Sequence, residues 1–224
     1  MIHEESWPPG TPAWCDLIVP DRVAAQRFYG SLFGWEYEVG APETGFYTTA
    51  LKHGQRVAGI GEPQEGTSPP AMWTTYLAVD DATATVKAAV AAGGTVLMEP
   101  MGVLEFAAMA LLADPTGAVV GLWQSGVQTG ANLVNEPGAM IWSEGISNDL
   151  AAARAFYGTV FGYTFDDMSG DGWEYAAFNV DGKNVGGLGC PPTPPKARTP
   201  TRIPQPPDPR PCPYPLYHPA TSER

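Results

Sequence analysis

WCDLIVPDRVAAQRFYGSLFGWEY, residues 14–37, returns 128 residues later as WSEGISNDLAAARAFYGTVFGYTF, residues 142–165. The register holds without a gap from Trp14–Pro63 to Trp142–Pro191, with 16 of 50 positions identical. An offset that constant marks an internal duplication. Residues 64–128 would recur at 192–256, past Arg224, so one complete domain and a half-length copy are expected.

The order of elements follows from period and punctuation. Ala13–Val19 alternates and is rich in large apolar residues, which predicts a strand, and Asp21 is placed to cap a helix. Ala24, Ala25, Phe28 and Leu32 fall on one face of that helix, and Gly34 sits just past its end. Short β-like runs follow at Trp35–Glu38, Gly45–Leu51 and Arg56–Gly61, separated by Gly, Pro and the turn His53-Gly54. After the link GEPQEGTSPP the same order recurs. Met72–Val79 is a strand, Asp80–Ala92 a helix ended by Gly93-Gly94, and Thr95–Met98, Ala107–Ala113 and Ala118–Trp123 are strands, with Asp114-Pro-Thr-Gly117 turning between the last two. Two βαβββ modules, about 13–63 and 70–124, can join into one cupped eight-stranded mixed sheet with helices outside. The organisation expected is an arm (1–10), a complete α+β domain (11–126), a linker (127–138), a third, unpaired βαβββ module (139–190) and a tail (191–224).

Charge separates body from tail. Residues 1–190 hold 7 Lys/Arg against 22 Asp/Glu, a net of −15, whereas 191–224 hold 5 against 2, a net of +3. An acidic body argues against nucleic acid and anionic membrane as partners. No apolar stretch is long enough to cross a bilayer and no export signal is legible, so a cytoplasmic location is expected. Cys15, Cys190 and Cys212 lack metal-type spacing, in keeping with a reducing compartment. The tail has 13 prolines in 34 residues and cannot provide the hydrogen bonds of a fourth module. A frame change in the message and a proline-rich ligand for an SH3-like partner both account for it. With no second sheet half, the third module is expected to leave an apolar face open and to invite association of two copies of the chain.

FYGSLFGW, FYGTVFGY, YLAVDDATATVKAAVAAGGTV and ADPTGAVVGLW resemble the vicinal oxygen chelate superfamily, which includes glyoxalase I, bleomycin-resistance proteins and extradiol dioxygenases. PAWCDLIVPD, GGTVLMEPM and GANLVNEPGAMIWSE narrow the resemblance to actinobacterial two-domain glyoxalase-like proteins, some named glyoxylases or hydroxylases. It covers about residues 8–191. The resemblance implies the glyoxalase fold and several candidate chemistries: lyase, hydroxylase, dioxygenase, or sequestration of a drug or metabolite. It also implies a divalent ion held by side chains from the first and last strand of each module. Carried onto this sequence, those four positions are Trp14, Gly59, Thr74 and Gly121, and none is a credible ligand. Trp142 and Gly187 hold the matching places in the repeat. No metal and no cofactor are therefore expected. Glu105-Phe106-Ala107-Ala108 also replaces the Gly-Arg usual before this strand in related sequences.

What stands in the cup instead is a set of carboxylates and aromatics. With period two, Trp14, Asp16 and Ile18 share a face, and Trp142, Glu144 and Ile146 repeat them. Asp16 and Glu144 are the candidate acid–base residues, because a carboxylate beside an indole in a dry pocket has a raised pKa. The alternative is that Asp16 hydrogen-bonds a neighbouring strand end while Trp14 fills space. Tyr47 and Tyr175 also match across the repeat, as do Gly59 and Gly187, the glycines either leaving room for a ligand or marking bulges. Trp14, Tyr47, Gly59, Thr74, Tyr76, Gly121, Trp123 and Trp142 are the candidate ligand-binding residues, with Trp73 as a further apolar wall. His3, His53 and His218 lie in arm, turn and tail and are read as solvated. Two functions remain: a glyoxalase-like enzyme moving a proton beside a carbonyl without metal, and a protein that binds a small molecule without turnover.

Overall fold

A computed structural model describes residues 2–63, 70–103, 106–170 and 172–190. The proline-rich tail, Cys212, His218, Glu105 and most of the link at 61–70 lie outside the described residues. The first module runs β1 (Pro12–Ile18), α1 (Arg22–Phe33), β2 (Glu36–Val39), β3 (Thr48–Lys52) and β4 (Gln55–Gly61). The second runs β5 (Met72–Ala78), α2 (Ala82–Ala91), β6 (Thr95–Val103), β7 (Ala107–Ala113) and β8 (Val119–Ser125). Their eight strands form one mixed sheet in the order β2-β3-β4-β1-β5-β8-β7-β6.

The centre of that sheet is the antiparallel pair β1–β5, in which Trp14 faces Tyr76, Cys15 faces Thr75 and Asp16 faces Thr74. On either side a parallel strand closes each module, β4 on β1 and β8 on β5. This local two-fold arrangement brings the first strands of both modules side by side at the bottom of the cup. Each helix starts on an aspartate that accepts from a backbone N–H three residues on, Asp21 from Ala24 and Asp81 from Ala84. Gly34 closes α1 in the left-handed conformation.

Several boundaries differ from expectation for identifiable reasons. The run Gly45–Leu51 yields a strand only from Thr48, because Gly45 and Phe46 both have positive φ and a short 3-10 turn, Pro42–Thr44, precedes them. Strand β6 extends to Val103 through Pro100, which is tolerated because β6 lies at the sheet's edge and no ladder needs that N–H. The expected apolar face of α1 is rotated. Ala25 is buried and Tyr29 and Phe33 pack inward, whereas Phe28 and Leu32 are exposed.

The third module forms a separate four-stranded sheet from β9 (Glu144–Ile146), β10 (Thr164–Asp167), β11 (Glu174–Val180) and β12 (Lys183–Cys190), in the order β10-β11-β12-β9, with helix α3 (Leu150–Phe161). Its helix face is not open. Leu150, Ala153, Phe156 and Tyr157 share a core with Val86 and Ala89 of α2 and with Leu112 and Leu122 of the large sheet. The N-terminal arm adds a clamp, since the Tyr163 hydroxyl donates to the carbonyl of Gly10. The face that does remain uncovered among the described residues is the other one, carrying Trp142, Ile146 and Met168. Among those residues no helix is long and apolar enough to cross a membrane.

Candidate functional site

Asp16 lies at the bottom of the cup, 3% exposed. Its position follows from strand period: Trp14 and Asp16 point to the concave side while Cys15 and Leu17 pack beneath the helices. The Tyr47 hydroxyl donates to Asp16 Oδ2 at 3.3 Å, and the Tyr76 hydroxyl donates to the same oxygen at 3.1 Å. Trp14 Nε1 in turn donates to the Tyr47 oxygen at 3.0 Å. Trp123 completes the floor, its ring centroid 5.8 Å from that of Trp14 and 6.2 Å from that of Tyr76. Among the described residues, the oxygen Asp16 Oδ1 and the nitrogen Trp123 Nε1 are both buried with no partner.

The two glycines supply the room for these tyrosines. A Cβ on Gly59 would stand 1.8 Å from the Tyr47 oxygen, and one on Gly121 would stand 2.1 Å from Cδ1 of Tyr76. Both Gly59 and Gly121 therefore serve side chains of the protein, and the space expected for a ligand at those two points holds tyrosine rings. Neither is a bulge, since each pairs in register with its neighbours, Gly59 with Asp16 and Gly121 with Tyr76.

The same relay occurs in the repeat. Trp142 Nε1 donates to the Tyr175 oxygen at 2.9 Å, the Tyr175 hydroxyl donates to Glu144 Oε1 at 2.8 Å, and Gly187 lies under the Tyr175 ring. Among the described residues the third module has no counterpart of Tyr76 or Trp123, and this copy is open: Trp142 is 41% exposed where Trp14 is 0%. The sequence signal was the matched spacing, since the tryptophan and tyrosine stand 33 residues apart in both copies.

Trp73 is not part of the cup. It alternates with Thr74 and so points to the convex side, where it donates to the Tyr29 hydroxyl at 3.0 Å and packs edge-on against Tyr29 and Trp35. There it lines a crevice of about 750 Å³ between α1 and residues 135–143, together with Phe33, Cys15 and Trp142.

Burial pushes the Asp16 carboxyl up to about 6, and the hydroxyls of Tyr76 and Tyr47 only partly oppose this. Cys15 is pushed up to about 12, by burial first and then by Asp16. Burial also raises Tyr47 and Tyr76 above the ordinary tyrosine range, again reinforced by Asp16. A raised carboxyl pKa means the folded chain holds this proton more tightly than the unfolded chain, which releases it near 3.8. The associated stability is complete below about pH 4 and is lost as pH rises through 6. Asp16→Asn should remove that slope. Its melting temperature is expected to exceed wild type above pH 7, by the equivalent of up to about 3 kcal/mol, and to converge with it at pH 4.

Chemically the cup is a dry floor of indoles and phenols around one protonatable carboxylate. A divalent metal centre asks for several oxygen or nitrogen donors converging on one point. The four positions offer an indole at Trp14, bare backbone at Gly59 and Gly121, and a single hydroxyl at Thr74. Among the described residues no three His, Cys, Asp or Glu side chains gather anywhere. This donor set does not fit the ion.

Paired βαβββ modules joined into one eight-stranded mixed sheet are the arrangement of the vicinal oxygen chelate type. Residues 11–122 match the family profile of the glyoxalase/bleomycin resistance protein/dioxygenase superfamily, and the chain belongs to that family. It is 40% identical over 199 residues to a Mycobacterium tuberculosis protein named "Putative glyoxylase CFP32", covering 87% of this chain and 76% of that one. It is 41% identical over 168 residues to the anthracycline biosynthesis protein DnrV of Streptomyces peucetius, covering 69% of this chain and 61% of that one. In fold it is similar to the Mn(II)-bound glyoxalase from Novosphingobium aromaticivorans, with a TM-score of 0.56, 18% identity, and coverage of 81% of this chain and 62% of that one. The chain thus spans less than two thirds of the length of that glyoxalase.

Proposed function

We propose that the cup of residues 11–126 binds a small organic molecule without a metal ion, and that Asp16 is the group that engages it. The observation carrying this reading is Asp16 Oδ1, a buried oxygen with no partner among the described residues. Buried polar atoms are rarely left unpaired unless water or a ligand completes them. The donor set at Trp14, Gly59, Thr74 and Gly121 supports the metal-free part of the reading. Glu144 heads an exposed relay with no opposing module among the described residues, which favours Asp16 as the functional carboxylate.

A second reading is supported by the names of the relatives. With its carboxyl pushed up to about 6, Asp16 is suited to take a proton from a carbon beside a carbonyl and return it to a neighbouring atom. Asp16→Asn separates the two. An enzyme is expected to lose turnover by two orders of magnitude or more, roughly the usual worth of general acid–base catalysis, while keeping affinity. A binding protein is expected to change affinity alone. Elemental analysis after exposure to Ni, Zn, Mn and Fe(II) tests the metal-free claim, and about one equivalent per chain would overturn it.

We also propose that two copies meet through the third module, because β9 has no neighbour on its outer side among the described residues. Native mass at high concentration checks this, and a monomer there removes the idea.

A further inference from the structure

We propose that the crevice on the convex side, between α1 and residues 135–143, is a second binding site, for flat, uncharged aromatic compounds that carry a hydrogen-bond acceptor. It is separate from the cup and stands independently of the role given to Asp16.

The crevice holds about 750 Å³, within the range of roughly 300–1,000 Å³ that accommodates a drug-sized molecule. Its walls are aromatic: Tyr29 and Phe33 come from α1, Trp35 from just past that helix, Trp73 from β5 and Trp142 from the approach to β9. The indoles are already held in place by their N–H groups. Trp35 Nε1 donates to the carbonyl of Gly138 at 2.7 Å, Trp73 Nε1 to the Tyr29 oxygen at 3.0 Å, and Trp142 Nε1 to the Tyr175 oxygen at 2.9 Å. Tyr29 lies nearly parallel to Trp35, with centroids 5.5 Å apart, and Trp73 stands edge-on to both. Rings fixed in this way cost an arriving molecule little ordering entropy. Trp73 and Trp142 are nonetheless 38% and 41% exposed, so a ring system seated against them removes indole surface from water.

Charge decides what kind of ring system fits. Among the described residues Glu136 is the only charged side chain on the lining, and it already has a partner of its own. The Cys15 thiol, also on the lining, is pushed up to about 12 and stays neutral. With no lysine, arginine or histidine there, a carboxylate would lose its hydration and gain no counter-charge. An ammonium would find no unengaged carboxylate. The polar contact comes from Tyr29. Its oxygen accepts from Trp73, which leaves its own proton without an acceptor among the described residues, and a carbonyl or ether oxygen of the ligand completes it.

Three naphthalenes of similar shape test this on the full chain by equilibrium dialysis at pH 7.5: 2-acetylnaphthalene, 2-naphthoate and 2-ethylnaphthalene. Acetylnaphthalene is expected to bind at least about tenfold more tightly than naphthoate. Tyr29→Phe, checked for a cooperative melt, should weaken acetylnaphthalene about fivefold and leave ethylnaphthalene within about twofold of its value on the parent chain. The indole N–H resonances of the unsubstituted protein give a readout that needs no variant. Acetylnaphthalene should shift those of Trp35, Trp73 and Trp142 and leave those of Trp14 and Trp123 in place. Shifts confined to Trp14 and Trp123 would put the ligand in the cup, overturning the crevice site while supporting the cup reading. An absence of saturable acetylnaphthalene binding would overturn the crevice site alone. Naphthoate binding as well as acetylnaphthalene would refute the selection against charge, and equal losses of acetylnaphthalene and ethylnaphthalene in Tyr29→Phe would refute the hydrogen bond from Tyr29.

Discussion

Phe156→Ala is expected to cost about 3–5 kcal/mol and to release the third module from the second, whereas Phe28→Ala, the same residue in the first copy, should change stability by less than about 0.5 kcal/mol. The two phenylalanines occupy matched positions in helices of matched sequence, yet Phe28 is 60% exposed and Phe156 is 2% exposed. The difference is what lies over them. Phe156 sits in the core that α3 shares with α2 and the outer face of β7 and β8, and a Cβ on Gly94 would come within 2.9 Å of its ring. No described residue covers Phe28 in that way; its ring meets Tyr29 edge-on at 4.9 Å. Truncating Phe156 removes a large buried ring and leaves a cavity that a helix pinned by Leu150, Ala153 and Tyr157 cannot close. Urea unfolding followed by tryptophan fluorescence measures both variants. A two-step transition in Phe156→Ala would show the third module unfolding first, and equal effects at the two positions would refute the asymmetry.

Gly121→Ala is expected to cost about 3 kcal/mol or more, a larger loss than Gly59→Ala. Both glycines lie under tyrosines, but they meet different parts of the ring. At Gly59 the added methyl would strike the oxygen of Tyr47, the far end of a side chain that can swing. At Gly121 it would strike Cδ1 and Cγ of Tyr76, close to the backbone of a strand held between β1 and β8. Tyr76 would have to leave its rotamer. Asp16 would then lose one of its two donors and Trp123 its edge contact, adding the loss of a charge-assisted hydrogen bond to the overpacking. Without Tyr76 the Asp16 carboxyl should titrate still higher, so the loss of stability with rising pH should extend further above pH 6. Thermal melts across pH 4–8 measure both effects, and a Gly121→Ala melt that matches wild type would show that Tyr76 does not depend on the glycine.

These contrasts show where sequence reading succeeds and where it stops. The duplication, the helix caps at Asp21 and Asp81 and the alternation of Trp14, Asp16 and Ile18 are local signals, and they yield the module order and the carboxylate in the cup. The relay from Trp14 through Tyr47 to Asp16 spans three strands, and its only sequence trace was the equal spacing in both copies. The glycines were legible as places of close approach. What approaches was not, because Tyr47 reaches Gly59 diagonally across the sheet and Tyr76 reaches Gly121 from a different module. The buried face of α1 differs from the sequence expectation for a similar reason. The positions chosen, Ala24, Ala25, Phe28 and Leu32, share one stripe, but Tyr29 and Phe33 also fit a helical period. The choice between the stripes is made by Trp35, just past the helix, and Trp73 of β5, both packing against Tyr29. Strand parity sets Trp73 on the side opposite Thr74, and its bond to Tyr29 holds it there, away from the cup.

The doubled relay also gives the molecule its own clock. Trp14 and Trp142 donate their indole protons to tyrosine oxygens at nearly the same length, 3.0 and 2.9 Å, but one bond is sealed and the other is wet. Exchange of the Trp142 proton with deuterium reports the breaking of that bond alone. Exchange of the Trp14 proton additionally requires the cup to open. The ratio of the two rates, taken from one sample, is therefore the equilibrium constant for opening, and a ligand that seats on Asp16 should slow the first proton while leaving the second unchanged.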